Sequence, residues 1–158
     1  MAILNPNDPN VVMLELVARR LGTELCAQFA FVGGAAAGLL ITDPAQPAIR
    51  PTEDVDLVVE VLSLSAYHRT EAALQARGFV QDHRAEAPIC RWQVDGVKVD
   101  VMPSQQDILG FANRWYPLCV ATAEPLALPS GVPIRVFTAP VFIATKLEAF
   151  HGRGNNDY

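Results

Sequence analysis

The chain has 158 residues, 51% of them apolar and 18% charged, with a net charge of −5. That is one domain's worth of sequence with enough apolar material for a core, too apolar for a disordered chain, and acidic where a general nucleic-acid binder is basic. No apolar run reaches the roughly 18 residues of a membrane span, no basic-then-apolar leader is visible, and Cys26, Cys90 and Cys119 are too scattered for a zinc site, so the composition reads as a cytoplasmic protein with reduced thiols.

After a polar, proline-containing start, Asp8-Pro9 signals a helix, with Asp8 as cap and Pro9 in the first turn. Val11, Leu14, Ala18 and Leu21 recur at helical spacing, and Gly22 ends the run, with Arg19 and Arg20 at a solvated helix end. Residues 28–32 then read as a strand and 34–41 as a helix, with Gly33-Gly34 between them. A glycine pair there lets exposed backbone N–H groups hold phosphates; taken alone, such a pair in an alanine-rich segment more often serves close helix packing. The segment 42–50, with two prolines, is a loop placed to lie over whatever site adjoins it.

The next stretch is the most informative. Asp54 and Asp56 stand at the head of an apolar, β-branched run to Val61. In a strand they share one face, while Val55, Leu57 and Val59 take the other. Aspartate is a poor strand former, and two carboxylates at the end of a buried strand repel unless a cation lies between them. Hard oxygen ligands of this kind suit a divalent metal in phosphoryl-transfer chemistry. Taken alone, Asp-x-Asp also fits a solvated strand start.

Ser63 or Ser65 caps a helix to Arg77, ended by Gly78, and residues 79–82 form a short strand. Residues 89–94 and 97–102 form a hairpin about Asp95-Gly96, a strong two-residue turn signal. Its second strand sets Val97, Val99 and Val101 against Lys98, Asp100 and Met102, giving a third carboxylate in an apolar strand. Beyond it, 106–113 reads as a short helix, 118–121 and 126–128 as edge strands, and 132–137 as a strand whose Pro133 suits an edge. Thr138 caps a last helix to about Gly152, with Ile143, Leu147 and Phe150 as its core face and Lys146, Ala149 and Arg153 on another. His68, His83 and His151 show no ligand spacing, and Trp92 and Trp115 read as core or partner contacts.

Together, Gly33-Gly34, Arg50-x-Thr52-x-Asp54-x-Asp56-Leu57, Val99-Asp100-Val101 and Lys146-x-x-Ala149-x-x-x-Arg153-x-x-x-Asp157 resemble the DNA polymerase β-like nucleotidyltransferase superfamily, and within it the AbiEii/AbiGii-like toxin-type enzymes. The resemblance runs from about Phe31 to the end. It departs at Ala35, where the superfamily often has a hydroxyl residue, and in the longer segment before Asp54. Relatives also continue with more helix past the last motif, so the resemblance implies a single domain over 1–158 that is short or truncated at its C-terminus.

The implied fold is α/β (α+β), a nucleotidyltransferase-type mixed β-sheet flanked by helices. The implied activity is transfer of an NMP from an NTP to an acceptor hydroxyl. Asp54, Asp56 and Asp100 would be the catalytic, metal-binding residues for Mg²⁺ or Mn²⁺. Gly33, Gly34, Arg50, Thr52, Lys146, Arg153 and Asp157 would bind the nucleotide, with Thr52 either orienting the Asp-x-Asp turn or donating to a phosphate. The implied partners are an NTP, a tRNA acceptor, and a cognate antitoxin or a second copy of the chain. A protein hydroxyl or a small molecule is the other acceptor class, since fold and metal triad do not choose it. The alternative is a non-catalytic nucleotide-binding or protein-interaction module that keeps the fold.

Overall fold

The computed structural model describes residues 3–43, 45, 50–110 and 112–152. Its first helix, α1 (Pro9–Cys26), starts where Asp8 accepts from the N–H groups of Asn10 (2.8 Å) and Val11 (3.3 Å), which satisfies donors that a helix start otherwise leaves open. Val11, Leu14, Val17, Ala18 and Leu21 form its buried stripe. Gly22 leaves the helical region (φ 77°, ψ 163°), so the helix breaks there and a last turn carries on to Cys26. The chain continues through β1 (Phe29–Val32), the short α2 (Gly33–Ala37) with a 3₁₀ turn (Gly38–Leu40), β2 (Asp54–Val59), α3 (Leu64–Ala76), β3 (Val80–Gln81), β4 (Arg91–Val94) and β5 (Val97–Pro103). It ends in α4 (Gln106–Leu109), α5 (Tyr116–Thr122), β6 (Glu124–Ala127), β7 (Pro133–Val136) and α6 (Ala139–Gly152).

The fold class is mixed α/β, with helices flanking a seven-stranded sheet in the order β3-β4-β5-β2-β1-β7-β6. The pairs β2–β5 and β1–β7 are parallel and the rest antiparallel. Because β2 and β5 lie side by side in parallel, the chain between them crosses over through α3 and returns by β3 and β4. Burial matches that central position. Phe29, Phe31, Val55, Leu57, Trp92, Val99 and Val101 are fully enclosed, and β1 is apolar along its whole length, as a doubly covered strand must be. Tyr67 of α3 donates to the Val101 carbonyl (2.8 Å), and Arg77 Nε donates to the Leu21 carbonyl (2.6 Å), tying α3 to the sheet and to α1.

Several expectations change in detail. The helix expected over 34–41 is a five-residue α2 followed by the 3₁₀ turn, too short to sum much of a dipole at its N-terminus. Ser63, not Ser65, caps α3, accepting from Ala66 N–H at 3.1 Å. The helix expected over 106–113 stops at Leu109, where Gly110 turns left-handed (φ 82°). The apolar run 118–121 is helical, not an edge strand: Pro117 sits in the first turn of α5 and Asn113 takes the Trp115 N–H, and four apolar residues carry no periodicity that separates the two states. The strand containing Pro133 is not an edge either, since β6 covers it, and the proline is tolerated as the first residue of β7. On α6 the inward residues are Val141 and Phe142, the latter edge-on to Phe137 at 5.6 Å, while Ile143 and Leu147 of the expected core face are 57% and 55% exposed. That helix carries apolar residues on more than one face, so the spacing does not select the buried one. Arg20, expected to be merely solvated, forms a fork with Asp95 at 2.6 and 2.8 Å. The three cysteines are buried free thiols, and no described helix is long and apolar enough to cross a membrane.

Candidate metal centre

The centre is built on the parallel pair β2–β5. Alternation along β2 sends Asp54 and Asp56 to one face and buries Val55 and Leu57 on the other. The register sets Asp56 opposite Asp100 and Asp54 opposite Lys98. Residues opposite one another share a face, so three carboxylates converge. One oxygen from each of Asp54, Asp56 and Asp100 lies within 4.8 Å of the other two.

Crowding and burial shape the charges. Burial, followed by the neighbouring Asp54 and Asp100 carboxylates, raises the Asp56 pKa to about 7, with Arg91 and Lys146 acting against the rise. Asp54 is raised too, by burial first and Asp100 second, with Arg91 and Lys98 opposing. Such stacking of like charge is unfavourable without a cation.

The glycine pair explains how the centre closes. Gly33 has φ +75°, and a Cβ built on it would lie 2.0 Å from Asp56 Oδ2. A Cβ on Gly34 would lie 2.9 Å from Thr52 Cγ2. The glycines therefore make room for the acidic strand itself, a role separate from the phosphate contact expected of them. Thr52 donates its hydroxyl to the Asp54 carbonyl (3.1 Å), the orienting alternative, at the entrance to β2. Arg50 is exposed, and its carbonyl accepts from Asn10 Nδ2 at 3.4 Å. Lys146 is exposed on α6, close enough for its charge to act on Asp56. Lys98 pairs with Glu53 at 3.5 Å. Arg153 and Asp157 lie outside the described residues, as do residues 44 and 46–49 of the loop before Asp54.

Three residues of this neighbourhood escaped the sequence reading. Arg91 donates through Nε and Nη2 to the two oxygens of Asp100 at 2.8 and 2.9 Å, and through Nη2 to Asp54 at 3.2 Å. A signal existed: once Asp95-Gly96 is fixed as a two-residue turn, Val94 faces Val97 and Arg91 must face Asp100. Asn10, only 3% exposed, accepts from the Thr52 backbone N–H at 2.9 Å and so fastens the strand entrance to α1. Nothing local in the sequence marks it, because its partner is 42 residues away. Tyr116 donates to the Met102 sulfur at 3.1 Å, which places α5 on the face that carries Asp100; its phenol is held above its ordinary range mainly by burial, with Asp56 the next contributor.

No protein-family model and no curated protein matches the chain.

Proposed function

We propose that the chain is a metal-dependent nucleotidyltransferase, passing an NMP unit from an NTP to an acceptor hydroxyl. The observation behind this reading is the convergence of Asp54, Asp56 and Asp100 on one face of the central parallel strands. The donor set fits Mg²⁺ or Mn²⁺, being three carboxylates with no thiol or imidazole among them. Bound there, the ion would draw charge from the α-phosphate and from the departing pyrophosphate.

The side chains divide the remaining work. Asp54 and Asp56 would hold the ion when it is bound, with the triphosphate beside it. Asp100 adjoins the attacking group and accepts the proton of the acceptor hydroxyl as its oxygen bonds to the α-phosphorus and the bond to pyrophosphate breaks. Lys146, whose charge reaches Asp56 from α6, would add positive charge toward the phosphates. Thr52 and Asn10 keep the entrance of β2 in place, so that the two aspartates arrive pre-positioned. A tRNA end is the acceptor the motif resemblance favours, with a cognate antitoxin or a second copy as protein partner.

Labelled NTPs, Mg²⁺ or Mn²⁺ and a total tRNA pool test the reading. Label is expected to move to RNA with the wild type, to be abolished in Asp56→Asn, and to be only reduced in Lys146→Ala, because one phosphate contact among several is lost there while the ion's ligand is lost in the former. A specific observation favours a second reading, a nucleotide-binding or protein-interaction module without turnover: Arg91 already compensates two of the three carboxylates. Magnesium-dependent NTP binding, with no transfer to RNA, protein or small-molecule acceptors, would select it.

A further inference from the structure

Arg91 reaches the centre from β4, the strand that flanks β5. Its side chain is 17% exposed and its planar fork takes both oxygens of Asp100, with a further bond to Asp54. Both are members of the acidic triad. A bidentate arginine–carboxylate pair is among the stronger polar contacts a protein makes. Arginine cannot shed its charge, so it cannot leave such a site by deprotonating. It leaves only by moving.

We propose that Arg91 is a resident counter-cation of the triad: it holds Asp54 and Asp100 together in the metal-free protein and is displaced from them by a divalent ion. The inference rests on the metal-site reading above. A divalent ion held by the triad and a guanidinium on the carboxylates of Asp54 and Asp100 would be like charges competing for the same ligands. Both cannot keep their best positions. The side chain has a way out, because it is 17% exposed, while its backbone stays fixed, the Arg91 carbonyl accepting from Asp82 N–H at 2.9 Å and the Arg91 N–H donating to the Pro88 carbonyl at 3.0 Å. The role is one of positioning. Arg91 keeps the carboxylates from splaying before the ion arrives, and sets how tightly the ion is held.

Calorimetric titration of Mn²⁺, without nucleotide, into the wild type, Arg91→Met and Asp56→Asn tests this. Methionine keeps bulk and removes the charge. Arg91→Met is expected to bind Mn²⁺ at least about tenfold more tightly than the wild type, since a competing charge is gone, while melting at a lower temperature in EDTA. In the folded wild type, the Arg91 Nε–H resonance, slowed in solvent exchange by its bond to Asp100, is expected to shift and lose protection as Mg²⁺ is added; this holds the proposal to account if the variant does not fold. Mn²⁺ binding that Asp56→Asn abolishes but Arg91→Met leaves unchanged, or an Nε–H signal indifferent to saturating Mg²⁺, overturns the role of Arg91 and leaves the metal centre standing. Absence of Mn²⁺ binding to all three proteins overturns both.

Discussion

Asp56 differs from its two companions in having no ion pair among the described residues, while Arg91 serves Asp54 and Asp100. Burial, then the neighbouring Asp54 and Asp100 carboxylates, raise its pKa to about 7 from the ordinary 3.8. In the unfolded chain this carboxyl loses its proton first, so between about pH 4 and about pH 7 the native state binds more protons than the unfolded one, and stability falls as pH rises. In EDTA, the wild type is therefore expected to lose stability relative to Asp56→Asn across that window, and to level off above it, as followed by thermal melts at stepped pH. An equal pH slope for the two proteins would refute the assignment. Gly33 makes a second test at the same scale. Gly33→Ala forces both a left-handed residue and a collision with the Asp56 carboxylate, with an expected loss of about 1–3 kcal/mol in denaturant unfolding and weaker Mn²⁺ binding. Gly131 is the control, with φ +90° and nothing within 4 Å of its added Cβ. Gly131→Ala is expected to cost only the backbone strain, about 1–2 kcal/mol, and to leave Mn²⁺ binding intact.

Elements set how much of this was legible in advance. Strands with strict alternation and punctuated ends were readable: β2 from its Asp-x-Asp head, and the β4–β5 hairpin from Asp95-Gly96, whose φ values of 48° and 81° suit a turn with both central residues left-handed. The start of α1 was readable from Asp8-Pro9 and its break from Gly22. What the sequence concealed depends on tertiary contact. Nothing in the run 118–121 says helix, and nothing in α6 says that Val141 faces inward while Ile143 and Leu147 stay exposed. At the centre, the three aspartates were legible because β-periodicity fixes their faces, whereas Asn10 was not, because it acts from a helix on a distant loop. That helix-to-strand tie carries its own prediction. Asn10→Ala leaves the Thr52 N–H without its acceptor, and orphaning this half-buried donor costs about 1 kcal/mol, the low end for a buried one. The expected result is that loss in chemical denaturation, accompanied by weaker Mn²⁺ binding, because the entrance to Asp54 is no longer pinned. Full Mn²⁺ affinity in a destabilised Asn10→Ala would confine the residue to a purely architectural role.

For the whole molecule, the centre joins parts of the chain that meet only after the crossover from β2 to β5 is complete. Contacts of that sequence separation form late and carry the entropy of a long loop. Mn²⁺ at about 100 times its dissociation constant is expected to stabilise the native state by about 2.7 kcal/mol. The gain should appear mainly as slower unfolding, with refolding nearly unchanged, in stopped-flow measurements. An accelerated refolding limb would instead mean that the acidic strands assemble early. The far side of the sheet has a consequence for how copies of the protein meet. The Leu128 N–H donates to the Val132 carbonyl at 2.9 Å, and the register continues through Leu126 opposite Ile134 and Glu124 opposite Val136. In that phase Pro125 and Ala127 present their backbone outward along the free edge of β6. Proline has no N–H to offer, which leaves Ala127 as the strand's one outward donor, flanked by the charge of Glu124. A neighbouring chain seeking to add a strand finds the outward carbonyls of Pro125 and Ala127 but a single N–H there, an incomplete ladder that disfavours fibre-like, edge-to-edge growth along this border of the sheet.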